Sequence, residues 1–212
     1  MPNDSTAPDD LLDRARAGDP QALVDLFGRY RDRLKRMVRL RLDRRLQGRI
    51  DASDVLQEAY LDLARRAPEY FAQPPAQPFF LWLRLLTGQR LLTIHRQYFG
   101  TRMRDAGLEV ALRHGAMPQA SSASLAVALL GRLTSPSQAA VKAEMQLRLQ
   151  EALNSMDPLD REVLVLRHFE ELSNAETAEV LSLQKTAASN RYVRALKRLR
   201  VILQGMPGFA GS

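Results

Sequence analysis

Residues 173–200 read SNAETAEVLSLQKTAASNRYVRALKRLR, and this stretch predicts two helices joined by a short turn. Ser173 and Glu176 have the spacing of a capping box, in which each side chain accepts a hydrogen bond from the other residue's backbone N–H. The first helix would include Ala178, which is small enough for a second helix to cross it closely. A turn is predicted at Ser182 and Leu183, and a basic helix follows it. This order of elements predicts a helix-turn-helix motif, whose second helix enters the DNA major groove.

The second helix separates into two faces when its residues are projected at 100° per residue. One face is apolar and would pack inward: Ala188, Tyr192, Ala195, Leu196, Leu199 and Leu203. The other would project outward: Ala187, Asn190, Arg191, Arg194 and Arg198. Asn and Arg can make two-point contacts with adenine and guanine, whereas Lys185, Lys197 and Arg200 have positions suited to phosphates. A merely solvated basic helix is the alternative, and the capping box and turn favour DNA reading over it.

Composition supports a polyanionic partner for this chain. The 212 residues carry a formal net charge of +7, and ten basic residues against two aspartates form a separate block between Arg29 and Arg49. There is no cysteine, which excludes disulfides and thiolate metal sites. The polar, acidic N-terminus lacks a secretory pattern, and no apolar run reaches membrane-spanning length, so we expect a cytoplasmic protein without membrane insertion.

Helix signals recur along the rest of the chain. Asp19-Pro20 predicts the start of a long amphipathic helix that ends at Gly48. Asp51 and Asp54 would cap a helix that ends before Pro68, and residues 67–78 would form a proline-rich loop. Further helices are predicted from Phe79 to Tyr98, from Gln138 to Met156, and after the Asp157-Pro158 cap. The predicted fold is therefore all-α.

The helices fall into two small domains joined by a flexible linker. We assign residues 1–113 to the first domain, 114–137 to a linker rich in Ser, Ala, Gly and Pro, 138–204 to the helix-turn-helix domain, and 205–212 to a tail. Within the linker, the stretch SLAVALLGRL could form a short docking helix.

Two further groups of residues are candidates for function. Asp54, Glu58 and Asp62 recur every four residues, so their carboxylates line one helix face, which either faces water or docks on a basic partner. Aromatic side chains surround the proline-rich loop, with cations after them: Tyr70, Phe71, Phe79, Phe80, Trp82, Arg84, Arg90, His95 and Arg96. Such groups can stack on unpaired bases or form a core. We expect Phe79 and Trp82 to be buried and Tyr70 and Phe71 to be more exposed.

Nearly the whole chain resembles the bacterial sigma factors of the extracytoplasmic-function (ECF) group. GDPQALVDLFGRYRDRL and DASDVLQEAYLDLARR resemble region two, FFLWLRLLTGQRLLTIHRQ resembles its promoter-melting segment, and residues from Met156 to Arg200 resemble region four. Ser182 stands where the family usually has Gly. The wording of the last helix is most similar to ECF factors abundant in planctomycete-type bacteria.

The resemblance implies a role for each group of residues. Asp54, Gln57, Glu58 and Asp62 would dock on the clamp helices of core RNA polymerase. The minus-ten DNA strand and its flipped base would meet Tyr70, Phe71, Trp82, Arg84, Arg90, His95 and Arg96. The minus-thirty-five duplex would meet Lys185, Ala187, Ser189, Asn190, Arg191, Arg194 and Arg198. Region four would also contact the polymerase flap, and an anti-sigma factor is a possible further partner.

The sequence predicts no enzyme, cofactor or metal site. His95, His114 and His168 have no metal-ligand spacing, and Leu86-Thr-Gly-Gln is not a phosphate-binding loop. The second hypothesis is a free-standing helix-turn-helix regulator, which would explain the C-terminal motif but leaves the acidic face unassigned.

Overall fold

The computed structural model describes residues 9–72, 77–99, 117–133 and 139–205. The chain divides into two compact units, Met1–Pro118 and Gln119–Ser212. The described residues are helical and contain no strand, only an isolated bridge between Gln47 and Ile50, which confirms the all-α prediction.

The described part of the first unit contains four helices: α1 (Asp9–Arg16), α2 (Pro20–Arg41), α3 (Ala52–Ala72) and α4 (Phe79–Phe99). Helices α2, α3 and α4 pack against one another, and α1 packs on α2 and α3. The predicted caps are present: the Asp19 carboxylate accepts from the N–H groups of Gln21 and Ala22, and Asp51 accepts from that of Ser53.

Two predicted helix ends in this unit are wrong. Helix α2 ends at Arg41 rather than Gly48, because the backbone becomes extended at Leu42 (ψ 125°). Gly48, at φ +101°, instead serves the connecting turn. Helix α3 continues through Pro68 to Ala72, so the first part of the predicted proline-rich loop is helical. Aromatic packing of Tyr70 and Phe71 on α4 accounts for this, since it anchors the last turn of α3.

The core of the first unit lies between α2, α3 and α4. Its largest fully buried side chains are Leu26, Tyr30, Leu34, Met37, Leu56, Leu63, Leu83, Leu86 and Leu91. The cationic Arg33 is also buried, with its guanidinium carbon 3.8 Å from the centre of the Phe80 ring. This cation–π contact compensates for part of the lost hydration.

Among the described residues of the second unit there are five helices and a π-helical turn. These are α5 (Ser122–Leu133), α6 (Ala139–Asn154), α7 (Pro158–Leu164), the π-turn Val165–Phe169, α8 (Asn174–Val180) and α9 (Lys185–Gln204). Helix α5 packs on α6, and α9 packs on α6, α7 and α8. Asp157 caps α7 by accepting from the backbone N–H groups of Leu159 and Asp160, as its sequence predicts.

Helix α5 lies inside the segment that we interpreted as a linker, as the SLAVALLGRL stretch suggested. Leu125, Leu129 and Leu130 are buried there, at a spacing that brings them to one side of the helix. Residues 114–116 and 134–137 of that segment lie outside the described residues. The second compact unit therefore begins before the predicted helix-turn-helix domain, with α5 as its first helix.

Candidate DNA-binding and polymerase-binding surfaces

The helix-turn-helix is formed by α8, a four-residue connection and α9. Both hydrogen bonds of the predicted capping box are present: the Glu176 N–H donates to Ser173 Oγ (3.2 Å), and the Ser173 N–H donates to Glu176 Oε2 (2.7 Å). Ala178 is buried where α8 meets α9, and its carbonyl accepts from the Leu183 N–H at 2.8 Å. Ser182 lies in the left-handed region at φ +53°, which explains why glycine suits this position.

Helix α9 presents the two faces that its sequence predicts. Ala188 and Ala195 are fully buried, and Tyr192, Leu199 and Leu203 are half-buried. Leu196 differs from the prediction because it is 38% exposed. On the opposite face, exposure is high for Lys185, Ser189, Asn190, Arg194 and Arg198, and intermediate for Ala187 and Arg191.

Two of the predicted DNA-reading arginines bind the buried carboxylate of Asp160 on α7. Arg194 donates to it through Nε (2.5 Å) and Nη2 (2.8 Å), and Arg191 donates through Nη1 (2.7 Å). Arg191 also reaches Asp157 at 3.4 Å. The hydrogen bonds from Arg194, and then those from Arg191, lower the pKa of Asp160, although burial opposes them. This ionised carboxylate ties α7 to α9.

The acidic face of α3 is only partly open to a partner. Asp54, Gln57 and Glu58 are exposed, and Asp54 also accepts from the Asp51 N–H at 3.0 Å, completing the N-terminal cap. Asp62 is different because Arg90 donates to it from α4 through Nη2 at 2.6 Å and Nε at 3.1 Å, and Arg65 donates to it as well.

Arg90 and Asp62 therefore belong to one ion-pair network, although the sequence assigned them to different partners. Arg90 also lies 3.7 Å from Glu58, so it spans two carboxylates of the acidic face. Its side chain is only 22% exposed. Any DNA phosphate that takes up Arg90 must compete with these carboxylates.

The aromatic cluster forms a packed group at the α3–α4 junction. Tyr70 stacks on Trp82 with ring centres 4.2 Å apart, and Phe71 stacks on Phe79 at 6.2 Å. Trp82 and Phe79 are buried, and Tyr70 and Phe71 are half-buried and so more exposed, as predicted. Tyr70 and Phe71 nevertheless lie in helix α3 and not in a loop. The Tyr70 hydroxyl donates to the Gln77 carbonyl at 3.0 Å, and burial raises the pKa of Tyr70 to about 12.

The remaining candidates for minus-ten contacts differ in accessibility. Arg84 is buried, and so is His95, whose Nε2 accepts from the Asp43 N–H at 3.2 Å. Burial lowers the pKa of His95, which favours the neutral ring that this hydrogen bond requires. Arg96 is exposed. Of these three side chains, only Arg96 presents a cation to an incoming strand.

Sequence reasoning missed Asp160 and the pairing of Asp62 with Arg90. Asp160 is 31 and 34 residues from its two arginine partners, and Arg90 is 28 residues from Asp62. No local spacing connects such residues. The one available signal was the position of Asp160 in the first turn of α7, three residues after the cap.

Within the described ranges, no group of three or more His, Cys, Asp or Glu side chains is arranged to hold a metal ion. Over the same part of the chain, no helix combines the length and apolar character needed to cross a membrane.

Comparisons with known proteins agree with this arrangement. Residues 146–199, which include α7, the π-turn, α8 and most of α9, match the family model described as Sigma-70, region 4. Over 201 residues the chain is 25% identical to the ECF RNA polymerase sigma factor BldN of Streptomyces coelicolor. This match covers 95% of this chain and 67% of BldN. It is 28% identical over 192 residues to the ECF RNA polymerase sigma factor SigD of Mycobacterium tuberculosis. This match covers 91% of this chain and 82% of SigD.

The fold is also similar to that of CnrH, whose structure was solved in complex with the cytosolic domain of CnrY. The TM-score is 0.52 at 20% sequence identity, over 92% of this chain and 95% of CnrH. This likeness concerns the fold.

Proposed function

We propose that this chain, which belongs to the ECF sigma factors, binds core RNA polymerase and directs promoter recognition and transcription initiation. The observation that carries the proposal is the complete helix-turn-helix, with its capping box, left-handed turn and basic outward face, in the segment that matches region four. The chain would bind the promoter both as double-stranded DNA and as the single strand exposed by melting. We place the protein in the cytoplasm, where transcription takes place.

The polymerase clamp helices would dock on the exposed part of the acidic face of α3. Asp54, Gln57 and Glu58 are accessible to a cationic partner there. Asp62 would contribute less direct attraction, because Arg90 and Arg65 already neutralise it. Its role would be to hold α3 to α4, so that the docking face and the melting segment keep a fixed geometry.

The minus-ten strand would contact the α3–α4 junction and the outer face of α4. Arg96 and Arg90 would approach the phosphates, and a flipped base would meet the half-buried rings of Tyr70 and Phe71. Stacking contributes about 1–3 kcal/mol per base, which is comparable to the few kcal/mol that flipping costs. The buried Trp82, Arg84 and His95 would support this surface from below.

The minus-thirty-five duplex would receive α9 in its major groove. The bases would face Asn190, Arg191, Arg194 and Arg198. Ala187 and Ser189 would lie where the helix comes close to the DNA, and Lys185 would contact a phosphate. The polymerase flap would contact the same unit. Each DNA-binding unit can be weak alone, since tethering both to polymerase raises their effective concentration. No covalent step is required of the protein.

An anti-sigma factor is a further proposed partner. The fold neighbour CnrH was solved bound to the cytosolic domain of CnrY, and a comparable protein could block the surfaces of this chain.

Run-off transcription with core polymerase and the full chain tests the function. Asp54→Ala with Glu58→Ala is expected to abolish retention of the chain on core polymerase, whereas Asp32→Ala with Glu69→Ala removes the same charge from other exposed sites and should not. Asn190→Ala with Arg198→Ala is expected to preserve retention while losing promoter selection. We avoid truncating Arg191 and Arg194 together because that would leave the buried carboxylate of Asp160 unpaired.

The opposite results would point to a free-standing regulator. A footprint of the isolated chain on duplex DNA that does not change when polymerase is added, together with no retention of the wild type on core polymerase, would overturn the proposal.

A further inference from the structure

We propose that Asp160 is a positioning residue that orients Arg194 for guanine recognition. This inference rests on the proposed function of α9 as the DNA-reading helix. It assigns a role in promoter selectivity to a residue of α7 that lies outside the reading helix.

The geometry of the Arg194 contact carries the proposal. A guanidinium group is planar and has five N–H donors. Two of its edges each present a pair of donors: one edge has Nε and Nη2, and the other has Nη1 and Nη2. The Asp160 carboxylate binds the edge formed by Nε and Nη2, at 2.5 and 2.8 Å. The edge formed by Nη1 and the second hydrogen of Nη2 remains available, and among the described residues it has no recorded acceptor.

The exposure of the Arg194 side chain leaves room for a ligand beside the bound carboxylate. The Asp160 side chain is 7% exposed, whereas that of Arg194 is 61% exposed even though two of its nitrogens bind the buried carboxylate. Guanine presents two acceptors, O6 and N7, in the major groove, and they match one two-donor edge of arginine. Arg194 can therefore bind Asp160 and guanine at the same time, through different edges.

Arg191 has a different position in the same cluster. Its side chain is 28% exposed, and its Nη1 contacts both Asp160 and Asp157. It adds a second cation beside the carboxylate, so the two arginines balance the charges of Asp160 and Asp157. The carboxylate restricts the orientation of Arg194, and a side chain fixed before binding loses less conformational freedom on binding.

Two simpler roles for Asp160 make different predictions. A purely structural ion pair between α7 and α9 would affect the amount of active protein but not the bases it selects. A masking carboxylate would weaken DNA binding at every sequence, so its removal would strengthen binding and leave base preference unchanged. Of the three roles, only a positioning role predicts that substitution of Asp160 changes the preferred base.

The test uses holoenzyme formed from the full chain and core polymerase, with a promoter library that is randomised across the upstream duplex element. Each library member carries a barcode in its transcribed region, so sequencing the transcripts identifies the upstream element that was used and gives the base preference at each position. This preference does not depend on the fraction of folded protein. The variants are Asp160→Asn, Asp160→Glu and, as a charge control, Glu151→Gln, which alters an exposed residue of α6.

We expect the wild type to select an upstream motif that contains guanine. In Asp160→Asn the preference for one guanine is expected to fall by about tenfold, within the range that a two-point base contact supports. Asp160→Glu keeps the negative charge beside the arginines but displaces the carboxylate, so the preference for this guanine should fall severalfold. If Asp160→Asn is inactive, the base preference of Asp160→Glu tests the proposal. Glu151→Gln should keep the wild-type motif.

An unchanged motif in the two Asp160 variants would overturn the proposal, whether transcript yield falls or rises. A wild type that gives no upstream motif would instead overturn the proposed function itself.

Discussion

Replacing Ser182 by glycine should stabilise the second unit, because this residue holds a left-handed backbone conformation at φ +53°. A residue with a Cβ pays about 1–2 kcal/mol for that conformation, whereas glycine adopts it freely. Glycine also gives the unfolded chain more conformational entropy, which removes about 0.5–1 kcal/mol of the gain. The net increase in the free energy of unfolding is therefore about 0.5–1 kcal/mol, as no hydrogen bond of the Ser182 side chain is recorded among the described residues.

The measurement is thermal unfolding of the full chain by circular dichroism at 222 nm. For a unit of this size, the gain corresponds to an increase in Tm of about 2–6 °C. The only tryptophan, Trp82, lies in the first unit, so its fluorescence distinguishes unfolding there from unfolding of the second unit. Hydrogen exchange at the Leu183 amide, which bonds to the Ala178 carbonyl across the turn, should slow in the variant.

The matched control is Ser189→Gly, the same chemical change at an exposed position inside α9. Glycine is unfavourable within a helix, so this variant should lose about 0.5–1 kcal/mol. Opposite signs for the two substitutions would support the conformational argument. A destabilised Ser182→Gly, or equal losses in both variants, would refute it.

Three further results are expected. Tyr70→Phe loses the hydrogen bond from the Tyr70 hydroxyl and should destabilise the first unit by about 1 kcal/mol. Burial raises the pKa of Tyr70 to about 12, so in a spectroscopic titration of the wild type its phenolate absorbance should appear only at the most alkaline pH. Burial lowers the pKa of His95, so the stability that depends on its neutral ring should be present above pH of about 6.5 and decrease as the pH falls below it; urea unfolding of His95→Gln should lack this decrease, and identical pH profiles would contradict the assignment. Asp62→Asn should weaken core polymerase binding less than Asp54→Asn does, because two arginines already neutralise Asp62; a larger loss for Asp62→Asn in a fluorescence-polarisation titration would oppose this interpretation.

Much of the local structure follows from the sequence alone. The caps at Asp19, Asp157 and Ser173 depend on residues within three positions of one another, and all three are present with the expected hydrogen bonds. The helix-turn-helix follows for the same reason, since capping, helical periodicity and turn chemistry are local properties. The family resemblance also indicated that Ser182 occupies a position where glycine is usual, and its φ of +53° gives the reason.

Tertiary packing decided the helix ends and the environment of the charged side chains. Pro68 predicts the end of α3, but packing of the following aromatic residues on α4 keeps the chain helical to Ala72. Asp160 reads as an ordinary first-turn carboxylate until the fold brings α9 against α7 and places two arginines around it. Charge and burial act through space between residues some thirty positions apart, so the sequence identified the basic helix α9, and only the fold showed which carboxylate binds its arginines.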